Sequence, residues 1–447
     1  MQMGEMKMNR RRNRIWAALV PVVLVGQLVL SGCGGDASKR SGTPGETNKD
    51  PAAYSGGPVE LLVQDYNSSM TEQEFEEYFA KPVRAKYPDI SLKLTFERDM
   101  QKLISGGTPP DLVAVSNARI NEYFDIDYPE ELTPFIKRFN INLNDFDASV
   151  VDAIKGLGRG GIYGLPFGIN YAATLYNKDI FDKFGVAYPK DIITWDEFLE
   201  LSKRLTRSDN GIQYIGGTPN SIPTLLKAYG ASNVDAKDER AVLTTDKHRA
   251  VFSLLRQFFD IPGLVQGNTY LYTGITSTNI ALQTNWINGI TAKVTTDAMK
   301  YNWDLSAYPV FKERPNLGAA VDFHMFLVNK ASKNKEAAYR VILTILSHEA
   351  QEALTKNNPR ITPYKDAKLK QAFLQNFKVF EGKNLMSIFK VSPAPLPDYT
   401  RWSTVINPFV EELVKDIALN NKDINTAMRE YEEKANKAIE AAIAAKK

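Results

Sequence analysis

The stretch GGIYGLPFGINYAATLYNKDIFDKFGV, residues 160–186, decides the fold. Gly164 and Pro166 punctuate a short β segment, a second strand runs over 172–176, and a helix opens near Lys178. Gly164 and Gly168 offer backbone freedom at the junction between the two strands. The next segment, ITWDEFLELSKRL (193–205), carries a capping box. Thr194 and Glu197 are spaced to satisfy each other's orphan N–H groups, and Ile193 is placed to pack on Phe198. Trp195 stands at the first helical position, where packing is the expected role.

Working toward the amino terminus, the same alternation of short elements repeats. VELLVQ (59–64) is an apolar run of strand length. TEQEFEEYFAKPVRAKYP (71–88) has helical spacing at Phe75, Tyr78 and Phe79, with Pro82 as the expected kink. ISLKLTF (90–96) alternates like a strand, a short helix is expected over 100–104, and GGTPPDLVAVS (106–116) is a turn into a buried strand. Strand, helix, strand, helix, strand at these lengths implies right-handed crossovers and a parallel sheet.

Toward the carboxyl terminus, helices are expected over 223–229 and 246–259. WINGITAKV (286–294) and WDLSAYPV (303–310) read as strands. Residues 322–354 read as a strand followed by a long amphipathic helix, and 421–447 as a polar, Ala-rich helix with an exposed end. No internal repeat of fixed period is present.

The amino-terminal region is of another kind. A cationic run, Lys7 to Arg14, precedes an apolar run over 15–30 broken only by Pro21, Gly26 and Gln27. That order is a secretion signal, and the run is short for a spanning helix. LVLSGCGG (28–35) follows and holds Cys33, the one cysteine of the chain. Leu30-Ser31-Gly32-Cys33 resembles a bacterial lipobox, which implies cleavage before Cys33 and diacylglyceryl transfer to its thiol. Two acyl chains anchor stably where one is marginal. Residues 34–58 are rich in Gly, Ser, Pro and charge and read as a flexible tether. The expected organisation is a signal over 1–32, a lipid-anchored tether over 33–58, and a folded body from Val59.

Composition and spacing exclude several chemistries. With Cys33 lipidated, the exported chain has no thiol and no disulfide. The first 32 residues carry five Lys/Arg and one Glu, so +4; taking that from the chain's +3 leaves −1. Such a balance is no footprint for nucleic acid. The histidines, His248, His324 and His348, are scattered, which argues against a metal site. Asn144, Asp145 and Asp147 lack the Gly and distal Glu of a calcium loop. GLGRGG (156–161) fits G-x-G-x-x-G, but a helix-like segment precedes it and a strand-like one follows, the reverse of a dinucleotide site. A glycosidase pair could hide among Asp65, Asp99, Asp111 and Asp322, though nothing at fixed spacing argues for one.

The body resembles the family 1 extracellular solute-binding proteins of ATP-binding-cassette importers, the maltose-binding-protein-like group. GGTPPDLVAVS, residues 160–186 with TWDEFLELSKRL, and SKNKEAAYRVILTILSHEAQEAL (332–354) carry the resemblance. ALQTNWING (281–289) replaces the Gly-rich stretch that often precedes the family's cleft tryptophan. The resemblance implies an α/β, two-lobed periplasmic-binding-protein-like fold with three interlobe crossovers, near 168–171, 320–324 and 360–363. The amino-terminal lobe is then 59–168 plus 324–361, and the carboxy-terminal lobe 169–323 plus 362–447.

Ligands of parallel sheets sit at strand carboxyl ends, which points to the loops after the first and third strands. The expected ligand-binding residues are Asp65, Tyr66 and Asn117 from those loops, with Ser116 and Arg119 beside them. Asn170 and Tyr171 stand at the first crossover, Asn220 and Thr218 in GGTPNS, and Asp322 at the second crossover. Trp286, ahead of an expected strand, and Tyr399, Arg401 and Trp402 in PLPDYTRW complete the set, with Trp286 and Trp402 as an apolar platform.

The function this implies is capture of a carbohydrate, of oligosaccharide size, by a monomer held at the cell membrane through its lipid. Hinge closure and delivery to the permease subunits of the importer follow, with no cofactor, metal or catalytic residue. Rival readings are a binding protein for a peptide, polyamine or glycerophosphodiester, a secreted glycosidase, and a surface lipoprotein that binds other proteins.

Overall fold

The computed structural model describes residues 53–296 and 298–445. The expected signal, Cys33 and most of the tether lie outside the described residues. Two sheets organise the fold. The strands are β1 (Val59–Tyr66), β2 (Ile90–Thr95), β3 (Leu112–Ser116), β4 (Gly164–Asn170), β5 (Ala172–Asn177), β6 (Arg207–Asp209), β7 (Ile212–Tyr214), β8 (Leu282–Trp286), β9 (Trp303–Ala307), β10 (Leu317–Ala320), β11 (Asp322–Val328) and β12 (Ser392–Ala394). The larger sheet has the order β2-β1-β3-β11-β4, and the smaller β8-β5-β9. β10 pairs with β12, and β6 with β7.

The parallel expectation holds for β1, β2 and β3. It fails for β11, which runs antiparallel to both β3 and β4, so the sheet is mixed. The chain leaves the larger sheet at Asn170 and enters the smaller at Ala172, with Tyr171 between. β10 and β11 are likewise separated by Val321 alone.

β3 and β4 are buried along their whole length, as continuous apolar runs in a covered sheet should be. The glycines of β4 serve close approach rather than freedom. A Cβ on Gly164 would fall 2.6 Å from the Met325 sulfur, and one on Gly168 2.9 Å from Cβ of Arg360.

Several helices follow their sequence signals. The capping box of Thr194 and Glu197 opens Trp195–Leu205, with Trp195 1% exposed. The helix Asp246–Phe259 has its expected limits. Pro82 acts differently from a simple kink. Its ring and missing N–H disturb the preceding turn, and the chain adopts a π-helical turn, Glu76–Ala80, before Lys81–Lys86. The expected long helix after β11 is two, Lys335–Ile345 and His348–Asn357, divided where Ser347 caps the second. The expected strand in WINGITAKV is a correction: Trp286 ends β8, and Ile287–Val294 is a helix burying Ile287, Ile290, Thr291 and Val294. Among the described residues, no helix is long and apolar enough to cross a membrane.

A buried ion pair ties these elements beneath the crossovers. Arg360 Nε donates to Glu74 Oε1 at 2.6 Å and Nη2 to the Ser68 carbonyl at 2.8 Å, while Nη1 contacts His324 Nδ1. Two large apolar clusters fill the body, with a small third of Ala307, Val310 and Val391. One covers the larger sheet and one face of the smaller; the other packs the helices on the opposite face.

Candidate functional site: a polar cavity at the crossovers

A cavity of about 700 Å³ opens where the carboxyl ends of β1 and β3 meet the two crossovers. β1 delivers Asn67 and Ser69, both in the left-handed region. Asn67 Nδ2 donates to Ser116 Oγ at 3.2 Å, so the two loops hold each other. Asn117 is fixed by the start of β11: its Nδ2 donates to the Val321 carbonyl at 3.2 Å, and its Oδ1 accepts from Phe323 N–H at 3.1 Å.

The floor is a cross-strand pair. Register places Asp322 opposite Asn170, and Asn170 Nδ2 donates to Asp322 Oδ2 at 3.1 Å and to Asn288 Oδ1 at 3.2 Å. Asp322 keeps an edge on the cavity, but its carboxyl lies among packed groups. Burial pushes its pKa up to about 6, against the Asn170 hydrogen bond and the attraction of Lys227 and Arg360. His324, also on the lining, is driven well below its ordinary range by burial and the Arg360 charge. It is a neutral ring at physiological pH.

The opposite wall comes from the carboxy-terminal segment. Ser403, Thr404, Asn407, Pro408 and Glu411 lie along one stripe of the helix Ser403–Leu419. Pro408 has no N–H, so the Thr404 carbonyl lacks its helical donor on a helix face that lines the cavity. Tyr399 lies so close over Gly156 that a Cβ there would fall 2.1 Å from its ring. Asn121 Nδ2 donates to the Thr400 carbonyl at 2.8 Å, joining the two walls.

Of the expected residues, Asn117, Asn170, Asp322, Trp286 and Tyr399 line this cavity, as do Ser116 and Arg119. Others do not. Trp402 is corrected from platform to core: it is 3% exposed, packs in the second cluster, and donates Nε1–H to the Asp238 carbonyl at 2.8 Å. Arg401 stacks on that indole at 4.7 Å and lines a neighbouring cavity. Tyr171 packs on Phe389 at 5.4 Å behind the floor. Asp65 accepts from the Ser68 hydroxyl, and Tyr66 OH donates to Glu122 at 2.5 Å. Asn220 is tied to Thr284, and Thr218 accepts from the Tyr272 N–H at 3.0 Å.

Asp99 caps the helix Met100–Ser105, and Asp111 accepts from Leu62 N–H and Ser332. Of the four carboxylates considered for glycosidase chemistry, Asp322 alone lines the cavity. Among the described residues, no cluster of His, Cys, Asp or Glu could hold a metal ion.

Sequence reasoning missed Asn121, Lys227, Asn288 and the stripe on 403–411. The stripe had a signal: polar residues at 403, 404, 407 and 411 interleave with apolar ones at 406, 410, 413 and 414. The lining holds six asparagines, several hydroxyls and charges of both signs, with the Trp286 indole beside them.

Comparison with known proteins agrees with this architecture. A Brucella abortus protein named "Putative binding protein" is 26% identical over 322 residues, 67% of this chain and 75% of that protein. A Listeria monocytogenes ABC substrate-binding protein, solved in complex with cycloalternan, superposes with a TM-score of 0.68 at 19% identity, over 86% of this chain and 99% of that one. The cyclic alpha-maltosyl-1,6-maltose binding protein of Arthrobacter globiformis gives 0.67 at 12% identity, over 86% and 99%. At these identities the likeness is one of fold, that of the two-lobed binding proteins. The family model for bacterial extracellular solute-binding proteins matches residues 67–352, well over half of the sequence, and the chain belongs to that family.

Proposed function

We propose that this protein is the substrate-binding lipoprotein of an ATP-binding-cassette importer and that its ligand is an oligosaccharide. The observation that carries the reading is the cavity lining. Six asparagines and several hydroxyls offer donors and acceptors in all directions, and Trp286 offers an apolar face. A sugar presents that combination in reverse, hydroxyls around a C–H face. The charges are mixed, with Arg119 and Lys227 against Asp322, Asp398 and Glu411. A polyamine calls for an excess of acid and a phosphodiester for an excess of base, and neither excess is present.

In this reading the lobes are 59–168 plus 324–361 and 169–323 plus 362–447, they close on the sugar, and the closed form delivers it to the permease. Binding proceeds without covalent change to the ligand. Cys33 carries the lipid that keeps the body at the membrane. The test is a thermal-shift screen over mono- and oligosaccharides, with spermidine, short peptides and glycerophosphocholine as competitors. A ligand at 100 times its Kd should add about 2.7 kcal/mol to stability. A shift with spermidine, peptide or phosphodiester and none with any saccharide rejects the carbohydrate reading.

A further inference from the structure

A second cavity, of about 520 Å³, adjoins the first, and Asn121 and Leu157 line both. It is about three-quarters the size of the main cavity, within the range of small-ligand sites. Its wall carries Tyr163 and Phe124, whose rings meet edge to face at 5.1 Å, with the guanidinium groups of Arg159 and Arg401.

The GLGRGG run lies between the cavities: Leu157 lines both, and Gly158, Arg159 and Gly161 line the second. It closes the helix Ala148–Leu157 and leads into β4. Gly156 accommodates the ring of Tyr399 from the main cavity. Gly158 and Gly161 accommodate the ring of Tyr163: Cβ atoms there would fall 3.1 and 2.8 Å from it. A Cβ on Gly158 would also meet the Gly161 carbonyl oxygen at 2.1 Å. The motif therefore lays two tyrosine rings on bare backbone, one for each cavity, with Leu157 in the helix turn between the first glycine and the second.

We infer that the second cavity is an extension subsite, holding the sugar rings of an oligosaccharide that continue past those in the main cavity. The inference rests on the carbohydrate reading of the main cavity. Tyr163 supplies the apolar face, stiffened by the backbone behind it, for the C–H side of a pyranose. Arg159 and Arg401 supply forks of N–H donors for its hydroxyls. The Arg159 side chain is 77% exposed, with its guanidinium 4.0 Å from Asp238, so its solvent side is open to a ligand.

The experiment is calorimetric titration of the full chain with manno- and malto-oligosaccharides from disaccharide to hexasaccharide, repeated on Tyr163→Ala and Arg159→Ala. The parent should gain about tenfold or more in affinity from the shortest binding member to the longest, the scale of one aromatic contact. Tyr163→Ala should erase that gain and leave the shortest member's Kd within about twofold. Should Tyr163→Ala fail to fold, the exposed Arg159→Ala decides alone. Short saccharides that bind with no gain on lengthening overturn the subsite and leave the carbohydrate reading standing, as does a gain that survives in both variants. Failure of every saccharide overturns both.

Discussion

Asn170 and Asp322 face each other across an antiparallel register and share a hydrogen bond of 3.1 Å under the main cavity. The pair links the strand leaving the larger sheet to the strand returning to it. It also sets a titration. Burial leaves the Asp322 carboxyl neutral below about pH 6 and charged above. A sugar hydroxyl donates more strongly to the charged form, so saccharide binding should be tightest above that pH and weaken as pH falls through it. A hydrogen bond to a charged group is worth about 1–1.5 kcal/mol more than one to a neutral group, or roughly a 5- to 13-fold change in Kd. Calorimetry at a series of pH values should show this slope, and Asp322→Asn should flatten it. A parent Kd that stays constant across the series removes Asp322 from the contact.

Trp286 and Trp402 should respond differently to truncation. Trp286 lines the cavity, and Trp286→Ala should weaken saccharide binding by roughly 30- to 150-fold, from about 2–3 kcal/mol of lost burial. Trp402 is packed in the core, so Trp402→Ala should cost about 3–5 kcal/mol of stability. Its effect on Kd, measured where the variant is folded, should be small. Paired Kd and denaturation measurements distinguish the two, and the reverse pattern would refute the assignment.

Arg360 and Glu74 form a pair whose side chains are 6% and 9% exposed. Removing one partner strands the other charge in a buried setting. Glu74→Gln or Arg360→Met should each destabilise by about 3–5 kcal/mol, and the double variant by less than their sum. Urea denaturation of the four proteins completes the cycle. Additive losses would show that the two side chains act independently.

Cys33→Ser should abolish lipid attachment and leave either released protein or an uncleaved precursor. Fractionation with metabolic acyl labelling reads both. A Cys33→Ser protein that is cleaved normally and retained in the membrane excludes the lipobox reading.

Much of the fold was legible because its signals are local. Thr194 with Glu197 marked a helix start, and the spacing of apolar residues over 246–259 gave a helix to the residue. WINGITAKV reads as a strand because Ile, Thr and Val favour strands by composition, whereas the spacing of Ile287, Ile290, Thr291 and Val294 is helical and packing follows the spacing. The antiparallel entry of β11 could not be read, since its partners lie far away in sequence. At the site, Asn170 and Asp322 stood at visible crossovers, and Trp286 stood where the family resemblance expects a cleft tryptophan. Trp402 differs because a distant loop carbonyl, that of Asp238, takes its indole into the core. Asn288 and Lys227 reach the cavity through tertiary contacts alone.

β5 sends Ala173 and Leu175 into one apolar cluster and Ala172 and Tyr176 into the other. The first cluster runs unbroken from Leu61 and Phe326 under the larger sheet to Leu305 and Ile388 beside the smaller. Melting the larger sheet alone would bare that shared face to water, so neither half has an independent folded state to fall back on. Heating should accordingly give one calorimetric peak, with the measured enthalpy equal to the van't Hoff value. Saccharide should move that peak as a whole rather than split it, because a clamp on either sheet is felt by both.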